Sequence, residues 1–166
     1  VKWQSLKPEA RKNIIGLEAQ LWAETIKGRS MVEYYMLPKL LGFAESAWSP
    51  ARTWETQANR TQRINSINAG WNQFANTIAQ KEFPRLAQLN GGYAYRVPPA
   101  GVIIENGLAK ANVALPGIHI YYTTDGSEPT TQSGLYTEPI AANGILKFKT
   151  FDQNGKSGRT IIINAN

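Results

Sequence analysis

Apolar and polar side chains alternate near the N-terminus, between residues 16 and 24. Small or apolar residues occupy every second position, and the positions between them carry Glu18, Gln20, Trp22 and Glu24. This period of two predicts a strand with one apolar and one polar face. Because a tryptophan and a carboxylate share the polar face, we expect a barrel strand whose polar face lines a ligand cavity at the C-terminal mouth. An edge strand with an exposed glutamate is the alternative.

Such a cavity would suit a sugar. Trp22 would provide a flat apolar wall for a pyranose ring, and Glu24 would accept hydrogen bonds from sugar hydroxyls.

The next segment predicts a helix. Ser30 and Glu33 have the spacing of a capping box, and apolar residues then recur at helical spacing as far as Trp48. Pro38 should kink this helix, and Ser49-Pro50 should end it. The apolar stripe is wide, so we expect the helix to pack against neighbouring structure.

Helical spacing continues through the middle of the chain. It predicts one helix after Thr53 that includes Ile67, another that starts near Trp71 and includes Ile78, and a last turn at Phe83–Leu86.

A joint rich in proline and glycine follows at residues 93–101, and the sequence beyond it predicts strands. The alternating runs are Val102–Glu105, Ala111–Leu115, Ile118–Thr124, Ile145–Phe151 and Thr160–Ile163. Turn signals separate them, which is typical of a small β-sandwich. About 65 residues without a disulfide make a thin core, so we expect the sandwich to lean on its neighbour. The fold class is therefore α+β.

Composition and charge exclude several function classes. The chain has 166 residues, 42% of them hydrophobic, and no apolar run long enough to span a bilayer. It has no cysteine and one histidine, His119, which rules out thiolate zinc sites and multi-histidine metal sites. We expect His119 to lie at the surface of a strand, and we expect no cofactor. The net charge of +6 is scattered along the first 97 residues rather than clustered, so we expect no nucleic-acid binding.

The carboxylates do not form a hydrolytic pair. A glycosidase usually holds two of them about 5 to 10 Å apart, whereas Glu18 and Glu24 would lie about 20 Å apart on one strand. Glu33 and Glu45 are similarly distant along a helix. The only aspartates, Asp125 and Asp152, occupy predicted turns. We therefore expect Glu24 to bind rather than catalyse.

Two motif blocks carry a family resemblance. Residues 16–24, ending in Trp-Ala-Glu, together with residues 33–49 resemble the last strand and helix of the barrel in glycoside hydrolase family 20, the β-N-acetylhexosaminidases that include bacterial chitobiases. Residues 95–101 and the run Ile120–Thr130 resemble the immunoglobulin-like domain that closes chitobiases. The resemblance divides the chain into the helical end of a (β/α)8 barrel, residues 1–97, and an immunoglobulin-like sandwich, residues 98–166.

The resemblance implies a retaining enzyme that removes terminal N-acetylglucosamine or N-acetylgalactosamine. In this family the substrate's own acetamido oxygen is the nucleophile, and an adjacent Asp-Glu pair orients it and protonates the leaving oxygen. No Asp-Glu dipeptide occurs in these 166 residues, so we expect this chain alone to be inactive. By resemblance Trp22 and Glu24 are substrate-binding residues, and we expect no catalytic residue here.

Other expectations follow from the same resemblance. The partners are an N-acetylglucosamine-containing glycan and the rest of the barrel, and the location is the periplasm or exterior of a bacterium. We expect Trp48, Trp54 and Trp71 to pack from helix faces against the barrel or the sandwich. The first thirty residues would lack the packing that neighbouring barrel strands provide. The alternative function is a non-catalytic carbohydrate-binding or spacer module.

Overall fold

The computed structural model describes residues 7–165, so the first six residues and the last one of the predicted domain ranges lie outside the described part. Its N-terminal half is helical. After a 3-10 segment at Pro8–Asn13, the helices are α1 (Gly28–Met36), α2 (Lys39–Trp48), α3 (Arg60–Thr77) and α4 (Phe83–Gln88). A 3-10 turn at Thr53–Glu55 precedes α3, a π-helical turn at Ile78–Glu82 joins α3 to α4, and a 3-10 turn at Leu89–Gly91 ends the helical part.

The predicted helix around Pro38 is two helices rather than one kinked helix. Helix α1 ends at Met36, Leu37 has extended backbone angles, and α2 begins after Pro38. The Leu37–Pro38 peptide bond is cis. As predicted, α2 ends directly before Ser49-Pro50.

The predicted capping box is wrong. The N-cap of α1 is Lys27, three residues before Ser30, and Lys27 makes no side-chain capping bond. Glu33 instead accepts hydrogen bonds from Arg29 and from the distant Ala94 backbone. The Glu33 carboxylate thus binds the Ala94 backbone instead of the Ser30 backbone N–H that a capping box would use.

The predicted helix that includes Ile67 and the one predicted to start near Trp71 are a single helix, α3. Its N-cap Asn59 accepts a hydrogen bond from the Gln62 backbone at 3.0 Å. Gly70 interrupts the sequence pattern without breaking the helix, and a Cβ at Gly70 would lie 2.9 Å from the Trp54 ring. The glycine therefore serves packing rather than a turn.

The barrel strand predicted for residues 16–24 is not formed. Residues 14–23 have neither helix nor strand, and Glu24 and Thr25 form a turn. A strand is held by hydrogen bonds to neighbouring strands, and the described residues place none beside this segment. The alternating pattern is present, but the pairing partners are not.

Seven antiparallel strands form the C-terminal half: β1 (Gly101–Glu105), β2 (Leu108–Asn112), β3 (His119–Thr123), β4 (Gly134–Leu135), β5 (Ile140–Ala141), β6 (Gly144–Phe151) and β7 (Ile161–Ala165). One sheet has the order β1-β2-β5 and the other β4-β3-β6-β7. The predicted α+β class with a small β-sandwich is thus confirmed. The two-residue strands β4 and β5 carry too little pattern to be predicted.

Strand β2 starts three residues before its predicted position. Asn106 and Gly107 both have positive φ, 53° and 74°, as a two-residue hairpin turn of type I′ requires. This turn sets the register of β1 on β2, in which Glu105 pairs with Leu108. The Asn-Gly dipeptide was the signal for this strand start.

Two apolar cores stabilise the chain, and one of them crosses from the helices to the sandwich. The first combines helical residues such as Ile78 and Phe83 with Tyr95 and Val97 of the joint and with Leu115 and Ile118 of the β2–β3 loop. The second lies between the two sheets around Leu146 and Phe148. The expectation that the sandwich leans on its neighbour is therefore met, and the joint is the place of contact.

Candidate functional site

The two predicted sugar-binding residues lie on an exposed segment. The Trp22 side chain is 75% exposed, and Glu24 is exposed at the start of a turn in which the Ile26 N–H donates to the Ala23 carbonyl at 3.1 Å. Among residues 7–165, no side-chain hydrogen bond holds Glu24. Both side chains are thus open to a ligand.

The middle of the same segment lies beside the first two helices. Residues 19–21 line a small cavity of about 230 Å³ with Tyr35 and Met36 of α1 and Leu40 of α2. Gln20, from the predicted polar face, lines this cavity and donates to Glu18 at 2.9 Å. Because residues of both predicted faces line one cavity, the predicted division into an apolar and a polar face is not retained here.

Residues 7–165 contain three further tryptophans, which differ from one another. Trp54 is half-buried, with Gly70 beside it and the Arg52 guanidinium 5.2 Å from its ring centre. Trp71 is 49% exposed and lies 6.1 Å from Phe74, ring centre to ring centre. Trp48, the last residue of α2, is 83% exposed and lines an open cavity with Gln73 and Thr77 of α3. Its packing against the barrel or the sandwich stays a prediction.

A cluster that sequence reasoning missed lies where α1 meets the joint. The Glu33 carboxylate accepts from the Ala94 backbone N–H at 2.8 Å and from the Arg29 guanidinium at 2.5 Å. Four residues further on, the Leu37 carbonyl accepts from the Arg96 N–H at 3.0 Å. The Ala94 hydrogen bond first, and then the Arg29 pair, hold the pKa of Glu33 below its ordinary value.

The opposite side of the joint is held by the β6–β7 turn. Buried Asp152 accepts from the Tyr95 hydroxyl at 2.5 Å and from the Asn154 and Lys156 backbone N–H groups at 2.9 Å each. Lys156 Nζ donates to the Tyr93 carbonyl at 2.8 Å and lies 4.1 Å from the Tyr95 ring centre. Burial is the main cause that raises the pKa of Tyr95 and lowers the pKa of Lys156. We call residues 93–96 with Glu33, Asp152 and Lys156 the joint cluster.

A close approach of backbones completes this contact. A Cβ on Gly158 would lie 2.3 Å from the Thr150 hydroxyl oxygen and 3.0 Å from the Val97 carbonyl oxygen. Buried Thr150 in turn donates its hydroxyl to the Pro98 carbonyl at 2.7 Å. Hydrogen bonds therefore hold the chain from Tyr93 to Pro98 on both sides. Nothing in the sequence pattern alone could pair residues that are about 60 positions apart.

The second motif block is structural. Asp125 accepts from the Ser127 hydroxyl at 2.6 Å and from its N–H at 2.9 Å, which hold the pKa of Asp125 below its ordinary value. Glu128 binds Lys149 and the Thr160 hydroxyl, and Pro129 is buried. These contacts confirm the predicted turn at Asp125 and place no reactive group in it. His119 is exposed at the start of β3, as expected.

The faces of Tyr121 and Tyr122 also follow the alternation. Tyr122 packs on Phe148 and Tyr136 within the second core, whereas Tyr121 contacts Phe151 outside it. Among residues 7–165 no three His, Cys, Asp or Glu side chains come together as metal ligands. No helix in that range is long and apolar enough to cross a membrane.

Two family models match the chain. The one described as the glycosyl hydrolase family 20 catalytic domain matches residues 1–51, and the one described as the chitobiase/beta-hexosaminidase C-terminal domain matches residues 82–160. The first match contains Trp22 and Glu24. The second contains α4, the joint and most of the sandwich.

Curated relatives agree with these matches. An N,N'-diacetylchitobiase of Vibrio harveyi is 31% identical over 80% of this chain and 17% of its own length. Beta-hexosaminidases of Vibrio vulnificus and Porphyromonas gingivalis are 25% and 24% identical, each over 92% of this chain. The chain spans about a fifth of the length of these relatives, 17% to 20%. It belongs to the chitobiase-like members of glycosyl hydrolase family 20, in which it corresponds to the end of the catalytic domain followed by the C-terminal domain.

Proposed function

We propose that this chain supplies the sugar-holding part of a bacterial β-N-acetylhexosaminidase that acts on terminal N-acetylglucosamine or N-acetylgalactosamine. The family 20 catalytic match over residues 1–51 carries this proposal, because it includes the Trp-Ala-Glu motif. Trp22 is the wall on which the sugar ring packs, and Glu24 accepts hydrogen bonds from its outer hydroxyls. The exposure of both side chains supports this assignment.

The reaction needs groups that these 166 residues do not contain. The substrate's acetamido oxygen forms a bond to the anomeric carbon while the bond to the leaving oxygen breaks, and an acid protonates that oxygen. An Asp-Glu pair would orient the acetamido group and donate this proton, and the sequence has no such dipeptide. The chain thus binds, and the bond is broken by carboxyl groups on other strands of the catalytic domain.

We also infer that the exposed apolar side chains of the N-terminal half pack against the remainder of that domain. Several large ones lie outside both cores and are strongly exposed: Ile14, Ile15, Leu17 and Trp48. The first three lie within four positions of the chain, and clustered exposed apolar side chains favour an interaction site. The proposed domain boundary at residue 97 and the proposed export from the cytoplasm rest on the same family assignment. Detection of the protein in a periplasmic or culture fraction would test the location.

The first test is the activity of the chain itself. The purified 166-residue chain should not hydrolyse an aryl N-acetyl-β-glucosaminide, because the acid and the orienting carboxylate are missing. Release of the aryl group faster than in buffer would contradict the proposal if it persists after the chain is purified again to remove contaminating enzymes.

The second test addresses the two binding residues in the complete enzyme. Trp22→Ala and Glu24→Gln should each lower kcat/KM by roughly tenfold or more, because a packed ring or a charge-assisted hydrogen bond is lost. Glu55→Gln is the matched control, since Glu55 is also exposed and lies outside the proposed site. Equal kinetics in all three variants would refute the site assignment.

A further inference from the structure

Helix α1 touches both the proposed sugar-binding segment and the joint. On one side, Tyr35 and Met36 line a small cavity together with residues 19–21 of that segment. On the other side, Glu33 and Leu37 receive hydrogen bonds from the joint. The nine-residue helix α1 therefore connects the proposed binding segment to the joint that leads into the C-terminal domain.

The contact of α1 with the joint is laid out with matched spacing. The two acceptors, the Glu33 side chain and the Leu37 carbonyl, are four residues apart, about one helical turn. The two donors, the N–H groups of Ala94 and Arg96, are two residues apart. This spacing aligns the joint along the end of α1. The two hydrogen bonds fix the position of the helix along its axis, relative to the joint, and its rotation about that axis.

Aromatic rings reinforce the same contact. The Arg29 guanidinium lies 5.8 Å from the Tyr93 ring centre, and the Arg96 guanidinium lies 5.7 Å from the Tyr34 ring centre. Each pair joins α1 to the joint. The cation belongs to α1 in the first pair and to the joint in the second. Cation–π contacts of this kind add to the hydrogen bonds.

The start of α1 leads directly to the binding residues. Three residues separate Glu24 from Gly28, the first residue of the helix. The Lys27 N–H approaches the Met31 sulfur at 3.2 Å, and the Ile26 N–H closes the turn after Ala23. A tilt or rotation of α1 would therefore move Trp22 and Glu24.

The geometry points to a positioning role for the C-terminal domain: the joint cluster, through the Glu33–Ala94 hydrogen bond, sets α1 and thereby the placement of Trp22 and Glu24 on the sugar. Glu33 is a positioning residue, since it acts through the helix and not on the substrate. The sandwich contributes the Asp152 turn that holds the joint in place. The effect on sugar binding rests on the proposed function. The mechanical link, by which the contact of α1 with the joint sets the position of residues 22–24, does not.

Hydrogen exchange in the 166-residue chain tests the mechanical link. Glu33→Ala should speed amide exchange at Ala94, Arg96 and Ile26 by roughly tenfold, the effect of losing one hydrogen bond to a charged group. In Glu33→Gln the Ala94 amide should exchange at close to the wild-type rate, because the glutamine side-chain oxygen still accepts a hydrogen bond from that N–H. The matched control is Glu45→Ala, which removes the ion pair between Glu45 of α2 and Arg52 beyond the end of that helix. Unchanged exchange at Ile26 in Glu33→Ala, or equal acceleration there in Glu45→Ala, overturns the proposal.

Steady-state kinetics in the complete enzyme test the consequence for sugar binding. With an aryl N-acetyl-β-glucosaminide as substrate, Glu33→Ala should raise KM roughly threefold to tenfold and change kcat by less than about twofold, as expected for lost uniform binding. Glu33→Gln should restore most of the wild-type KM, and Glu45→Ala should leave it unchanged. A fall in kcat alone, or the same KM in Glu33→Ala and wild type, overturns the positioning role.

The two experiments separate this inference from the proposed function. If Trp22→Ala and Glu24→Gln leave the kinetics unchanged while Glu33→Ala speeds exchange at Ile26, the sugar-site assignment is wrong and the mechanical link stands. If both binding variants are impaired and exchange at Ile26 does not respond to Glu33→Ala, the site stands and the link is wrong.

Discussion

Two segments of this chain have the same alternating pattern and different structures. In β6, Leu146, Phe148 and Thr150 point inward and are fully buried, and the strand pairs with β3 and β7. Between residues 16 and 24 the alternation is equally regular, yet no strand forms and Leu17 is 58% exposed. The difference lies in the neighbours and not in the pattern.

The comparison shows what a period of two can and cannot specify. Alternation decides which face of an extended segment would be apolar, but it does not bury that face: Gln20 lines the same cavity as Ala19 and Leu21. Backbone hydrogen bonds to adjacent strands must come from elsewhere in the fold. For β6 the chain supplies them on both edges, and for the N-terminal segment the described residues supply none.

The largest expected effect comes from the same substitution in both segments. Leu146→Ala should lower the free energy of unfolding by about 2 to 5 kcal/mol, because it opens a cavity in the sandwich core. Leu17→Ala should change it by no more than about 0.5 kcal/mol, since most of that side chain is already in water. Urea unfolding followed by circular dichroism measures both. Comparable destabilisation by the two variants would mean that the N-terminal segment is packed as tightly as β6.

The two aspartates offer the next comparison, between the joint and an exposed turn. Asp152→Ala should cost about 2 to 3 kcal/mol, because it leaves the Tyr95 hydroxyl and two backbone N–H groups without their buried acceptor. Asp125→Ala removes a similar set of turn hydrogen bonds in solvent, where water replaces them, so its effect should be much smaller. The shift in urea midpoint is the measurement. Equal shifts would show that the joint cluster is no more than a surface turn.

The sequence predicted the class of each half because local patterns determine it. The turn signals at Asp125-Gly126 and Asn143-Gly144, and the alternation in β3 and β6, were sufficient for the sandwich. The predicted strand Ala111–Leu115 was three residues too late at both ends, because the Asn106-Gly107 turn, which the prediction did not use, sets the register of β2. Pro38 was correctly identified as an interruption, although it separates two helices instead of bending one.

The joint cluster could not be predicted in the same way. Glu33 had a plausible local role as a capping residue, and its actual partner, Ala94, is 61 positions away. Asp152 was assigned to a turn, which is correct, but its bond to Tyr95 depends on how the sandwich docks on the helices. Both partnerships follow from tertiary packing, which leaves no periodic signal. The assignment of Trp22 and Glu24 to sugar binding stays a prediction.

The smallest expected effect concerns pH and the Glu33 contact. The pKa of Glu33 is lowered from 4.5 in the folded chain, chiefly by the Ala94 N–H and the Arg29 guanidinium. The unfolded chain therefore binds the proton first as pH falls, so the stabilisation is complete above about 4.5 and is lost as pH drops through the folded value. Glu33→Gln cannot titrate, so its urea midpoint should fall less steeply than that of the wild type between about pH 5 and pH 3. Parallel slopes for the two proteins would mean that the carboxylate is no better stabilised at the joint than in the unfolded chain.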